Sequence, residues 1–199
     1  MGIGKQAKIL NSKQVEVILH HIGKGRNGLR NKVIFLLSIR AGLRAKEIAK
    51  LKWSMVVGAD SEIGDSIHLT NEASKGNSGR IIPINKALKA SLSELYSRDR
   101  IHECFDQNTA FVVTTERSKH ASAQAIVNQF QRWYRELGLV GCSSHSGRRT
   151  FITNAARTIS TVGGSIRDVQ MLAGHSSLQT TQRYIEGDSE CQRKVVNLL

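Results

Sequence analysis

The sequence predicts a mostly α-helical fold with one small antiparallel β-sheet. Three observations predict it. Apolar residues recur at helical spacing through most of the chain. The interval from Val56 to Ile84 breaks that pattern, because SIHLT and RIIPI are short β-rich runs around a polar turn, ASKGNSG. Two such runs about a turn read as a hairpin. Finally, 40% apolar content over 199 residues is enough to bury a real core, in one large domain or two small ones.

The elements follow in order. Ser12 is placed to cap a helix running through His21, with Val15, Val17, Ile18 and Leu19 as its apolar residues. GKGRNG, residues 23 to 28, is a loop. Residues 30 to 41 contain VIFLLSI and form a nearly continuous apolar helix, central to the core. Gly42 ends it, and a short helix follows in LRAKEIAKLKW. Next comes the hairpin, where Pro83, the only proline, suits an edge strand. Helices are expected near 85 to 97 and 121 to 137. The second carries Ile126, Val127, Phe130, Trp133, Tyr134 and Leu137 at helical spacing and stops at Gly138. Its aromatics read as core rather than as stacking platforms for bases. SSHSGRRTFITNAA opens another helix, with Ser143 or Ser144 as its cap. LAGHSSLQTTQRYIE gives two short helical pieces around a His, and the tail CQRKVVNLL ends the chain.

Composition narrows the partner. The net charge is +13 and the isoelectric point about 10.1. Residues 1 to 32 hold Lys5, Lys8, Lys13, Lys24, Arg26, Arg30 and Lys32 against one acid, Glu16. Such an excess fits a polyanion, nucleic acid ahead of an anionic membrane; the plain alternative is a solvated charged surface. Cys104, Cys142 and Cys191 lie far apart and form no CxxC pair, which fits reduced thiols better than a disulfide scaffold or zinc ribbon. MGIGKQAKIL lacks the apolar stretch of a signal peptide, and no run approaches the ~18 apolar residues of a membrane span. A soluble, cytoplasmic, nucleic-acid-associated protein with no membrane partner is expected.

Several polar residues then stand out: Arg44 after Gly42-Leu43, Lys75 in the hairpin turn, His145 and Arg148 three apart on one helical face, His175 after Gly174, and Tyr184. Each alone has an ordinary structural reading: a surface charge, a solvated lysine, a capping His, a core Tyr. No GxSxG, Walker A, HExxH or EF-hand pattern is present. Together, two Arg, two His, a Lys and a Tyr, with no metal-binding carboxylate cluster, form a set for attack on a phosphodiester. A guanidinium holds two phosphate oxygens in a fork and stays charged. Two of them stabilise the added charge of five-coordinate phosphorus. A Tyr hydroxyl attacks only if a base takes its proton or positive charge favours the phenolate. A Lys or His protonates the leaving 5′-oxygen. A phosphotyrosine conserves the bond energy, so the chemistry needs neither ATP nor a metal, and no cofactor is expected.

The chain resembles the tyrosine site-specific recombinases of the phage integrase family. AGLRAKEIAKLKW is similar to the family's first arginine motif, which makes Arg44 the first catalytic arginine and Glu47 the supporting acid. SKGNSGRIIPI resembles its β-hairpin motif, making Lys75 the general acid. HSGRRTF looks like its His-x-x-Arg motif, giving His145 and Arg148, and LAGHSSLQTTQRYI its last motif, giving His175 and the nucleophile Tyr184. The resemblance implies the family's catalytic-domain fold, a helical bundle with a small antiparallel sheet and double-stranded DNA across its basic face. It implies that Arg44 and Arg148 grip the scissile phosphate, that His145 hydrogen-bonds it and acts as base or acid, and that His175 hydrogen-bonds it too. Tyr184 then leaves a 3′-phosphotyrosine and a free 5′-hydroxyl, and two such cycles exchange strands in a tetramer on two DNA sites. Other uses of the same fold are a DNA-binding regulator or a type IB topoisomerase-like relaxing enzyme; the complete residue set argues against the regulator.

Departures from the family pattern are expected to matter locally. Gly147 and Arg149 stand where the family commonly has Leu and His. Gly147 lies either in the first turn of its helix or where DNA comes close; Arg149 is a phosphate contact or a plain surface charge. Typical members carry a separate core-binding domain before the first motif, which here arrives at residue 42. The reading is therefore a single catalytic domain, residues 1 to 199, without that domain. Lys5, Lys8, Lys24, Arg26 and Arg30 are then candidates to supply part of the grip, and an accessory DNA-bending protein is a candidate partner. The apolar tail residues Val195, Val196, Leu198 and Leu199 pack either on a neighbouring subunit or on their own domain.

Overall fold

The computed structural model describes residues 6–74, 78–116 and 118–184, together with 193, 196 and 197. Lys5, Lys75 and most of the tail lie outside the described residues.

Helix α1 (Ser12–Gly23) opens the described chain. Its cap is Asn11 rather than the expected Ser12. The Asn11 side chain accepts from the Gln14 backbone N–H at 2.9 Å, and the Gln14 side chain accepts from the Asn11 N–H at 3.0 Å. This reciprocal box outcompetes a lone serine hydroxyl. Val15, Ile18 and Ile22 are buried by α1, whereas Val17, expected among its apolar residues, is 53% exposed. The reason is geometric: Val17 follows Val15 by two residues, which turns it about 200° around a 3.6-residue helix.

Helix α2 (Gly28–Arg40) is the axle of the fold. Val33 to Ile39 are buried without interruption, so α2 is covered on all sides. It packs against α1, against α3 (Ala45–Lys50), against α4 (Lys86–Asp99) and against α6 (Ser146–Thr158). Helix α5 (Ala123–Glu136) packs on α3 and contributes Phe130, Trp133 and Tyr134 to the core, as expected for its aromatics. Strands β1 (Ser66–Leu69) and β2 (Arg80–Pro83) form the antiparallel pair, with Ser66 opposite Pro83 and Leu69 opposite Arg80. Helix α7 (Ile166–Ala173) and the short α8 (Leu178–Gln182) close the domain over a second, smaller cluster of Ile152, Val169 and Ala173.

Two expectations for the 143–148 region resolve here. Neither Ser143 nor Ser144 is the N-cap of α6; that position is His145, without a side-chain cap bond. Instead the Ser146 hydroxyl turns back and accepts from the Ser143 N–H at 3.0 Å, while the Ser143 hydroxyl accepts from the His145 N–H at 3.3 Å. Gly147 is in the first turn of α6 and buried against α2. A Cβ there would meet Ser38 Oγ at 2.5 Å and Ser38 Cβ at 3.0 Å. A helix, not DNA, is what approaches it.

Candidate active site

The candidate catalytic groups converge from four parts of the chain. After α2, Gly42 turns the backbone with φ of 66°, a conformation that favours glycine. A side chain there would also strike the Phe151 ring, 2.5 Å from the added Cβ. The turn places Arg44 at the N-cap of α3. Glu47 reaches back, accepting from the Arg44 N–H at 2.9 Å and from Arg44 Nη1 at 2.8 Å.

Glu47 is 1% exposed, and a second arginine holds it. Arg80, the first residue of β2, donates from Nη1 to Oε1 and from Nη2 to Oε2, both at 3.1 Å. Burial by itself pushes this carboxyl up; the hydrogen bonds and charges of Arg80 and Arg44 outweigh it and hold the group below the usual range. Arg80 also donates from Nε to the Leu172 carbonyl at 2.9 Å and from Nη1 to the Ser78 carbonyl at 3.3 Å. Sequence reading missed Arg80. The signal was available: Arg80 and Ile82 lie on one face of a strand whose Ile82 is buried, and an inward arginine needs a buried anion.

Arg148 is 4% exposed. Its Nη1 donates to the Gly42 carbonyl at 2.6 Å, and its Nη2 to the Ala173 carbonyl at 2.6 Å and to His175 Nε2 at 3.0 Å. Burial, with Arg44 and Arg80 nearby, pushes its pKa down to about 10 against the pull of Glu47 and Tyr184, so it stays cationic at neutral pH. A guanidinium only donates, so His175 Nε2 accepts and Nδ1 carries the hydrogen. Nδ1 gives it to Thr181 Oγ1 at 3.0 Å. Burial and then the charges of Arg148, Arg44 and Arg80 push His175 down to about 4, which keeps it neutral at pH 7. Its backbone is clamped as well, since Gln170 Nε2 donates to the His175 carbonyl at 2.9 Å. Thr181 and Gln170 are further groups that sequence reading missed; nothing in their spacing marks them.

Tyr184 lies in the turn just past α8, not within a helix. Its ring stacks on His175, with centroids 5.3 Å apart and planes at 24°. Its apolar side packs on the Ile152–Val169–Ala173 cluster, and its carbonyl accepts from Thr153 Oγ1 at 3.2 Å. His145 is exposed at the start of α6. It lines a cavity of about 580 Å³ with Arg148, Arg149, Arg183 and Tyr184. Arg149 is half-buried there, and its Nε has no hydrogen-bond partner among the described residues. A second cavity, about 1040 Å³, is lined by Arg44, Arg80 and His175 among others, and Thr180 borders both.

The structure thus brings Arg44, Glu47, Arg148, His175 and Tyr184 into one connected cluster, with His145 at its rim. Of the other basic candidates, Lys8 adjoins the Tyr184 cavity through Gly141, whose carbonyl accepts from its N–H at 3.1 Å, while Lys24, Arg26 and Arg30 line neither cavity. Lys8, Lys24 and Arg26 are exposed, with Arg26 beside Glu116 at 3.5 Å. Arg30, expected to face DNA, is half-buried instead. It donates to the Thr114 carbonyl at 3.0 Å and to Asn31 Oδ1 at 3.0 Å, and burial pushes its pKa down.

Comparison with known proteins assigns the chain to a family. The phage integrase family pattern matches residues 8–190. The chain belongs to the phage integrase family. It is similar to tyrosine recombinase XerC of Shewanella sp. strain ANA-3, 33% identical over 197 residues, covering 96% of this chain and 61% of the relative. The Chlamydia trachomatis XerC is 26% identical over 170 residues, covering 84% of this chain and 50% of the relative. This phage integrase family chain therefore spans between half and two thirds of the length of these relatives. Among solved structures it is similar to XerA recombinase, with TM-score 0.75, 19% identity, and coverage of 96% of this chain and 64% of that one. The XerH recombinase bound to a palindromic difH substrate gives TM-score 0.73 and 18% identity, covering 98% of this chain and 54% of that one. These likenesses show the fold: a tyrosine recombinase catalytic domain, mostly helical with a two-stranded antiparallel sheet. No helix among the described residues is long and apolar enough to cross a membrane.

Proposed function

We propose that this chain is the catalytic domain of a site-specific DNA recombinase that cuts and rejoins strands through a phosphotyrosine at Tyr184. The observation that carries the reading is the contact series Arg44–Glu47 and Arg148–His175–Tyr184, which sets two arginines and a tyrosine around two cavities that share Thr180. Arg148 is anchored through two backbone carbonyls and His175 Nε2, which leaves Nε and one Nη1 hydrogen for phosphate oxygens. Arg44 is held from one side by Glu47 and supplies the second fork. The Tyr184 oxygen attacks phosphorus and displaces the 5′-oxygen. His145, at the cavity rim, takes the phenolic proton, and Lys75, outside the described residues, gives a proton to the leaving 5′-oxygen. The 5′-hydroxyl of a partner strand reverses the step. Preorganised cations act on the charge that develops in the transition state, where a single donor is worth roughly 10²- to 10³-fold in rate.

The partners in this reading are double-stranded DNA and further copies of the chain, in a tetramer on two sites, with an accessory DNA-bending protein where bending is needed. Arg149 is a phosphate contact in this reading, because its half-buried side chain lines the cavity beside Tyr184.

A suicide DNA substrate, nicked beside the cleavage site, tests the mechanism. The wild type is expected to form a covalent adduct and Tyr184→Phe none. No adduct with the wild type, or an adduct with Tyr184→Phe, sinks the reading. Relaxation of a plasmid lacking any specific site points instead to a relaxing enzyme.

A further inference from the structure

We propose that Arg80 is a positioning residue for the strand-cleavage reaction: it fixes the Glu47 carboxylate so that Glu47 in turn presents Arg44 to the scissile phosphate. The inference rests on the recombinase reading above and assigns a role to a residue outside its catalytic set.

Three observations carry it. Glu47 is buried, and among the described residues its carboxylate accepts four hydrogen bonds, two from Arg44 and two from Arg80. Arg80 itself is 7% exposed in its side chain and reaches no further carboxylate among the described residues. Its Nε and second Nη1 hydrogen go to the Leu172 and Ser78 carbonyls. One guanidinium therefore joins the start of β2, the first turn of α3 and the end of α7. Those are the segments that carry or adjoin Arg44 and His175. Arg44 is the more exposed of the two arginines, at 26%, and is the one that faces outward for a substrate. Arg80, on the wall of the same cavity, is turned to Glu47 and to two backbone carbonyls.

Charge explains why an arginine is needed. Removing one partner of a buried ion pair leaves the other charge uncompensated. The charged groups that face Glu47 are Arg44 on its own turn, Arg80 on β2 and, at longer range, Arg148 on α6. Arg80 supplies the largest opposition to burial. Without it the carboxyl takes up a proton more readily, the protonated form can no longer accept from both Arg44 groups, and Arg44 loses its anchor. Misplacing a catalytic group by about 1 Å costs roughly 10²-fold in rate.

The test uses the full chain on the nicked suicide substrate, with adduct formation followed across pH, DNA affinity measured at one salt concentration, and a thermal melt of each variant. Arg80→Met is expected to cleave roughly 10- to 100-fold more slowly at pH 7, with DNA affinity changed by less than about threefold. Its rate should rise with pH through an acid limb displaced upward from the wild type, because Glu47 must be ionised to hold Arg44. Adding Glu47→Gln should remove that limb. Arg80→Gln should show the same limb and is the variant read if Arg80→Met does not fold. If neither folds, Arg80→Lys, which keeps the charge but not the fork, should still cleave more slowly than the wild type at unchanged affinity. A pH–rate profile parallel to the wild type, a limb that persists in the double variant, or a wild-type rate for Arg80→Lys overturns the role. An absent wild-type adduct overturns the recombinase reading instead, so the two failures are distinguishable.

Discussion

His175 is where the charge pattern of the site acts back on the stability of the chain. Its ring is buried between Arg148 and Tyr184, and its pKa is pushed from 6.5 down to about 4, by burial first and then by Arg148, Arg44 and Arg80. Below pH 6.5 the unfolded chain binds a proton that the folded chain refuses. Stability is therefore intact above about pH 6.5, falls as pH drops, and stops falling below about pH 4. Between pH 7.5 and pH 5 the loss is about 2 kcal/mol. His175→Gln has no such titration, and urea unfolding at the two pH values should show a correspondingly smaller loss for the variant. Equal losses would mean that His175 is not held neutral by its surroundings. Residue by residue, the sequence marked Arg44, Glu47, His145, Arg148, His175 and Tyr184 through short spacings such as His-x-x-Arg. Arg80, Thr181 and Gln170 were not legible in that way. Arg80 meets Glu47 across 33 residues of chain, and its inward place on the strand signals a buried anion without saying which residue supplies it.

At the scale of elements, most of the helices were legible because each buries one stripe, and the apolar helix α2 because it is buried on every side. What was not legible was how closely elements approach. Gly147 is the clearest case. In an exposed helix, replacing Gly by Ala stabilises by roughly 1 kcal/mol. Here the new methyl would sit 2.5 Å from Ser38 Oγ and 3.0 Å from Ser38 Cβ, and pushing α6 off α2 costs typically 1–3 kcal/mol. The sign of the usual effect should reverse, so that Gly147→Ala lowers the midpoint of chemical unfolding. Ser38 Oγ is buried with no partner among the described residues, so removing it should cost little. Ser38→Ala is expected to be neutral or stabilising, and Ser38→Ala/Gly147→Ala to recover part of the loss. If Gly147→Ala raises stability, the helix contact is looser than this packing implies. A shift of α6 also moves Arg148, which sits one residue after Gly147, so the same variant should cleave DNA more slowly.

For the molecule as a whole, the net charge of +13 sets an expectation about affinity that no single contact can. Each phosphate neutralised on duplex DNA releases counterion and adds about −0.9 to the slope of log K against log salt. A face that meets on the order of six phosphates therefore gives a slope near −5. The structure also says which cations should count. Arg149 lines the Tyr184 cavity, so Arg149→Gln should weaken binding and make the slope shallower by about 1. Arg30 is tied to Thr114 and Asn31, so Arg30→Gln should leave the slope unchanged and instead lower stability, by about 1–3 kcal/mol for the buried acceptors left unpaired. Titrating a duplex with each variant at several salt concentrations separates the two. A wild-type slope near zero would remove the electrostatic account of binding. Equal changes in slope for Arg149→Gln and Arg30→Gln would leave that account standing while showing that Arg30 releases its internal partners to reach DNA.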